Sequence, residues 1–195
     1  MTARDSLWSA VEAARATGGN ANSQWVANDI SIDSRGGEPG ALFIALRGES
    51  RDGHAFAADA LARGAVAAMV DHQPEGLAAG APLLQVGDTL AGLNALAVAA
   101  RSRCAARIVG ITGSAGKTGA KEMLLAAFSR QARAHASAAS YNNQWGVPLS
   151  LSRMPRDTQF AAFEIGMNHA GEITPLTKLV RPDAAIITTF APAHI

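Results

Sequence analysis

The chain has 195 residues, room for one large or two small domains, and its 48% hydrophobic content supports a buried core. A net charge of +1 gives no bulk electrostatic reason to expect a nucleic-acid or membrane partner. The one cysteine, Cys104, excludes an internal disulfide and has no Cys/His ligand spacing around it, which predicts a reducing compartment. In chain order, Ser6 is placed to cap a first helix running to Arg15, with Leu7, Val11 and Ala14 on one face and Gly18-Gly19 ending it. Ile30 and Ile32 alternate with polar residues as a half-buried strand that ends in Asp33-Ser34-Arg35. A glycine-rich turn over 36–40 precedes a buried strand over 42–46. A helix over 55–63 stops at Gly64, and strands follow over 66–70 and 83–86, separated by a loop over 74–82. Asp88 or Thr89 starts a helix with Leu90, Leu93, Leu96 and Ala97 at helical spacing, which runs to about Arg103 and joins two units.

The second unit opens with a strand over 107–112, a glycine-rich turn and a helix over 120–130. A polar, small-residue stretch covers 136–146, and 147–153 fits either strand or helix. A strand over 160–165, a helix over 171–180 and a strand over 184–189 complete the chain. Strands alternating with helices predict an α/β protein with parallel sheets in both halves, divided into domains at 1–87 and 88–195. Three strand candidates are few where sheets commonly have about 5–6 strands, so the second domain is expected to be incomplete and the chain to be part of a longer protein. No apolar run approaches the roughly 18 residues of a membrane span, and the first nine residues lack the apolar core of a signal peptide. A cytoplasmic monomer is expected.

The stretch Ile111-Thr112-Gly113-Ser114-Ala115-Gly116-Lys117-Thr118-Gly119 carries the most chemistry. Strand, glycine turn, lysine, hydroxyl and helix is the layout of a triphosphate cradle. Glycines let backbone N–H groups crowd around phosphate oxygens, Lys117 can reach the β/γ-phosphates, and the Thr118 hydroxyl can ligate Mg²⁺. The strict P-loop pattern wants a glycine where Ile111 stands, so this is a shortened G-x-x-G-K-T form.

Further candidates cluster at strand ends, where open α/β sheets bind ligands. Glu164 closes one strand and His194 lies just past another; a carboxylate and an imidazole suit a divalent cation beside phosphates. An ordinary strand-end charge and a surface histidine are the simpler alternatives. Asn142-Asn143 can face a phosphate, a metal-bound water or a substrate carbonyl, although such pairs more often make turns. Asn168, beside His169, suits a helix cap. In the first half, Asp33-Ser34-Arg35 and the loop from Arg47 through Glu49, Ser50, Arg51 and Asp52 to His54 could hold a nucleotide diphosphate, or could be solvated loops.

Taken together these residues resemble the Mur ligase family of ATP-dependent enzymes that build the peptidoglycan stem peptide. Its loop T-G-[TS]-x-G-K-[TS] is matched by residues 112–118, its strand-end glutamate by Glu164 and its Ala-His by Ala193-His194. Members that add D-alanyl-D-alanine to a UDP-linked tripeptide also carry K-E-M (Lys121-Glu122-Met123), N-N-x-x-G-V-P-L (142–149) and E-x-G-x-N-H-x-G-E-I (164–173). They carry D-S-R (33–35) and L-F-x-A-L-x-G-x-x-x-D-G-H-x-F (42–56) in their first domain. Folylpolyglutamate-type ligases lack the first-domain strings, other Mur ligases lack the paired-asparagine string, and a UDP-sugar-binding module without turnover is the alternative from another class.

The resemblance implies a UDP-binding N-terminal domain, then the start of a P-loop-type ATPase domain, in an enzyme using ATP and Mg²⁺. Its substrates would be UDP-N-acetylmuramoyl-tripeptide and D-alanyl-D-alanine, joined through an acyl phosphate. Residues 113–119 with Asn142 and Asn143 would hold ATP, and Lys117, Glu164 and His194 would be catalytic. Thr118 would hold one Mg²⁺ and Glu164 with His194 a second, while Ser34, Arg35, Glu49, Ser50, Arg51 and Asp52 would anchor UDP. Gly119 departs from relatives that carry Ser or Thr there, which removes one phosphate contact. The chain alone is expected to be inactive.

Overall fold

The computed structural model describes residues 6–35, 39–48, 51–138, 141–167 and 171–189. They form two compact units, Met1–Leu96 and Ala97–Ile195. The first contains β1 (Trp8–Ser9), α1 (Ala10–Thr17), β2 (Asn20–Ala21), β3 (Val26–Ala27), β4 (Asp29–Ser31), β5 (Ala41–Ile44), a 3-10 turn (Gly53–Phe56), α2 (Ala57–Ala62), β6 (Ala67–Val70) and β7 (Leu83–Gln85). Helix α3 (Thr89–Arg103) begins in this unit and ends in the next.

Helix α1 starts later than the Ser6 cap predicts. Ser9 and Glu12 form a reciprocal capping box, which Ser6 cannot make because Ser9 occupies the position three residues on. Residues before the helix extend instead, pairing Trp8 with Ala27 and burying the indole. Gly18 ends the helix at φ 66°, as the glycine pair predicts. The main sheet has the order β2-β7-β6-β5-β4, parallel throughout except for the antiparallel β2–β7 pair. Central β5 and β6 are buried at every residue, which is why they read as continuous apolar runs.

The second unit contains β8 (Arg107–Thr112), α4 (Lys117–Ser129), β9 (Ala134–Ala136), α5 (Gly146–Ser152), β10 (Phe160–Glu164), α6 (Ile173–Val180) and β11 (Ala184–Ile187). Its sheet runs β11-β8-β10-β9, all parallel. Ile108 of β8, Phe163 of β10, Val147 and Leu151 of α5 and Leu176 and Val180 of α6 share one core cluster. Four strands stand where three were expected among these residues. The added one, Ala134-His135-Ala136, is short and alanine-rich and so lacks the β-branched or aromatic signal of a strand; pairing with β10 makes it one. The ambiguous segment is helix, and Pro148 is tolerated because it falls in the first turn, where an N–H has no intrahelical partner. All four residues of edge strand β11 are exposed. Among the described residues, no helix is long and apolar enough to cross a membrane.

Candidate functional site

Strand β8 runs directly into the glycine-rich turn. Gly113 and Gly116 sit at φ 135° and 83°, backbone regions that L side chains rarely adopt. A Cβ on Gly113 would stand 2.3 Å from Thr188 Oγ1, so only glycine lets the turn lie against the segment that follows β11. That segment clasps the turn. The Ser114 N–H donates to the Thr189 carbonyl at 2.8 Å, and the Thr188 hydroxyl donates to the Ala115 carbonyl at 2.5 Å. Spacing along the chain gave no sign of Thr188 and Thr189, because the contact joins segments far apart in sequence.

Helix α4 starts from Gly116 with no side-chain cap and no acidic residue in its first turn. By contrast with α1, nothing of its own side chains neutralises the partial positive charge of its first N–H groups, the arrangement that receives an anion. The Lys117 ammonium folds back to donate to the Gly113 carbonyl at 2.6 Å. Thr118 and Gly119 are exposed on the first turn, and a Cβ on Gly119 would meet open space. The stretch Gly113, Ser114, Ala115, Gly116, Lys117, Thr118, Gly119 is therefore one contiguous surface at the carboxyl end of β8.

Glu164 closes β10 and pairs in register with Ile111, which puts it at the same sheet end as the turn. It is 0% exposed, and neither carboxylate oxygen has a hydrogen-bond partner among the described residues. The nearest recorded opposite charge is the Lys121 ammonium, 3.6 Å from Oε1. Lys121 is itself buried on α4; its Nζ donates to the Ser137 carbonyl at 2.9 Å and lies 3.0 Å from Glu122 Oε1. The strand is pinned here as well, since the Glu164 N–H donates to Ser137 Oγ at 3.0 Å. A buried carboxylate accepting no hydrogen bond is costly and suits a hard, oxygen-seeking cation. The donor set thus fits Mg²⁺. In the sequence Lys121 is one letter of the K-E-M string; its position four residues after Lys117, on the same helix face, is the signal the chain offers.

Around this centre, the Asn142 carbonyl accepts from the Gly166 N–H at 2.8 Å, which brings Asn142 against the segment leaving β10. The Asn143 side-chain oxygen accepts from the Trp145 and Gly146 N–H groups at 3.1 and 2.9 Å, so it holds the turn that leads into α5. His194 lies outside the described residues, as do Ala193, Asn168 and His169.

In the first unit, Ser34 is buried and Arg35 is exposed, with its guanidinium 3.1 Å from Asp33. That hydrogen-bonded guanidinium holds the Asp33 carboxyl below the usual carboxylate range. Glu49 and Ser50 lie outside the described residues, and Arg51 is exposed. Asp52 is exposed, and its carboxylate is tied to His54. It accepts the backbone N–H of His54 at 2.9 Å and lies 2.6 Å from His54 Nδ1. The backbone N–H contact is the main reason its carboxyl titrates below the usual range. His54 Nε2 accepts the Asp71 N–H at 3.1 Å, so the ring proton sits on Nδ1. Arg47 donates to Asp71 at 2.9 Å and stands 3.5 Å from Asp52, while the His72 ring stacks on His54 at 4.1 Å. Asp52, His54 and His72 have the proximity of a metal site, but the Arg47 guanidinium lies 3.5 Å from Asp52 and 3.2 Å from His72 Nδ1, a positive charge that competes with a cation there. These residues knit together the loops at the carboxyl ends of β5 and β6.

A model of the Mur ligase family catalytic domain matches residues 27–101, and one of the Mur ligase middle domain matches residues 111–195. A UDP-N-acetylmuramoyl-tripeptide–D-alanyl-D-alanine ligase of Synechocystis sp. is 40% identical over 168 residues, which are 86% of this chain and 37% of that protein. A crystal structure of MurF from Acinetobacter baumannii superposes with a TM-score of 0.82 at 36% identity, over 96% of this chain and 42% of the other. The MurF ligase of Thermotoga maritima, solved in complex with ADP, gives 0.66 at 26% identity, over 83% and 37%. The chain thus spans under half the length of the relatives it matches. With Mur ligase models matching residues 27–101 and 111–195, the chain belongs to the Mur ligase family.

Proposed function

We propose that this chain carries the UDP-binding and ATP-phosphate-binding parts of a ligase that joins D-alanyl-D-alanine to UDP-N-acetylmuramoyl-tripeptide. The observation that carries the reading is Glu164: a buried carboxylate with two oxygens that accept no hydrogen bond among the described residues, at the strand end beside an uncapped helix and its glycine turn. The identity of the substrates is supported by the names of the relatives. Residues 1–87 would bind the UDP moiety, with Ser34, Arg35, Glu49, Ser50, Arg51 and Asp52 as anchors. Residues 88–195 would hold ATP.

In the reaction, the tripeptide's terminal carboxylate attacks the γ-phosphorus of ATP, the β–γ bridging P–O bond breaks, and ADP leaves. The amine of D-alanyl-D-alanine then attacks the acyl carbon, loses a proton and expels inorganic phosphate. Both steps bring anions together, so positioning and charge neutralisation supply most of the acceleration. Lys117 would leave the Gly113 carbonyl for the β/γ-phosphate oxygens, and the first N–H groups of α4 would take the rest of that charge. Asn142 and Asn143 would line the same region. Mg²⁺, held at Thr118 and at Glu164 with His194, would offset phosphate charge. The protein would work in the cytoplasm, where ATP is available, as a monomer.

Calorimetric titration with ADP tests the phosphate grip. Lys117→Ala is expected to weaken ADP at least tenfold while leaving UDP binding unchanged. Equal ADP affinity in the two proteins would remove Lys117 from the role.

A further inference from the structure

We infer that Lys121 is a built-in counter-cation that competes with the divalent ion for Glu164, and so sets how tightly that ion is held. The inference rests on the reading of Glu164 as a metal ligand and deepens it. Its basis is a buried ammonium 3.6 Å from a buried carboxylate, both side chains 1% exposed. Burying the Glu164 charge alone would be strongly unfavourable, and Lys121 supplies the compensation. The pairing is loose, however. At 3.6 Å, Nζ makes no hydrogen bond to Oε1, and both carboxylate oxygens keep their lone pairs. The hydrogen-bonding capacity of the ammonium goes elsewhere: to the Ser137 carbonyl at 2.9 Å, with Glu122 Oε1 at 3.0 Å.

Glu122 is more than half exposed, so it offers the ammonium a second carboxylate on the solvent side. Lys121 therefore stands between two acids, compensating the buried one without occupying its oxygens. An ion arriving at Glu164 meets the repulsion of a unit charge, and the ammonium can lean toward Glu122 as it binds. Lys121 is a positioning residue in this account, acting through Glu164 without touching substrate. A purely scaffolding lysine would make the opposite prediction, because its removal would disorder Glu164 and weaken the ion.

The test is Mn²⁺ binding to the chain, read by the electron paramagnetic resonance of the free ion and by melting temperature with and without MnCl₂. Two variants remove the charge: Lys121→Met, and Lys121→Gln, which keeps a donor for the Ser137 carbonyl should the Met form fail to fold. Lys121→Gln is expected to melt lower than native without metal, to bind Mn²⁺ roughly tenfold tighter, and to gain more from saturating Mn²⁺ than native does. Unchanged or weaker Mn²⁺ affinity in Lys121→Gln, with binding lost in Glu164→Gln, overturns the inference and leaves the Glu164 reading intact. Mn²⁺ binding that survives Glu164→Gln overturns the reading underneath as well.

Discussion

Each unit carries a knot of charged side chains beyond the carboxyl ends of its parallel strands, and the two differ in how fully they are satisfied. In the first, Asp52 accepts from His54, Asp71 accepts from Arg47, and both nitrogens of the His54 ring are engaged. In the second, Glu164 is buried and accepts no hydrogen bond among the described residues. The lesson is physical. A cluster whose polar groups hydrogen-bond one another contributes mainly to stability, whereas an unsaturated buried group holds binding capacity in reserve. The helix starts repeat the contrast, since Ser9 and Glu12 close α1 and α4 is left uncapped.

The contrast can be broken most severely at the turn. Gly113→Ala drives a Cβ into Thr188 at a φ of 135°, and is expected to cost about 1–3 kcal/mol of strain and to reduce ADP affinity more than a hundredfold by calorimetry. Undiminished ADP binding would show that the turn does not need its present shape. In the first unit the opposite signature is expected. His54→Phe removes the ring contact of Asp52 and the acceptor of the Asp71 N–H and should lower denaturant stability by about 2–4 kcal/mol, with ADP affinity within twofold of native. A variant as stable as native would mean that the network is ornamental.

A smaller effect sharpens the comparison inside the second unit. His135 lies 2.8 Å from the Ser150 carbonyl through Nε2 and packs against Phe163. Desolvation by the surrounding protein, the leading cause, pushes its pKa below the ordinary 6.5. The unfolded chain therefore takes up a proton that the folded one refuses. Stability is full above pH 6.5 and falls as the pH drops below it. His135→Phe should flatten the slope of unfolding free energy between pH 6.5 and 5; an unaltered slope would assign it to another group. The smallest effect belongs to Gly119→Ser, which enters open space on the first turn of α4. It should change stability by less than about 0.5 kcal/mol and leave ADP affinity equal or slightly improved. A marked loss of stability would show that the space is used.

Local features of the sequence predicted the parts of the site that are themselves local. The apolar run of β8, two glycines, Lys117 and a helical stretch are neighbours in the chain, and so are Ser9 and Glu12, whose capping box corrected the start of α1. What spacing could not supply were partners brought together by folding. Lys121 looks like any helix lysine until β10 places Glu164 beside it. Thr188 looks like a strand-end residue until the turn lies under its hydroxyl. Asp52 and His54 are neighbours in one loop, and only folding brings Asp71 and Arg47 against them. Strand β9 was missed for the same reason, because its three residues become a strand only against β10.

The central claim is that the carboxyl ends of β8 and β10 together grip a metal-bound polyphosphate. Calorimetric titration of Mg²⁺-ATP into the native chain and into Glu164→Gln tests it most directly. The account predicts at least a tenfold loss of affinity in the variant, with the melting temperature of the metal-free variant close to native. Equal affinity for Mg²⁺-ATP in the two proteins would contradict it.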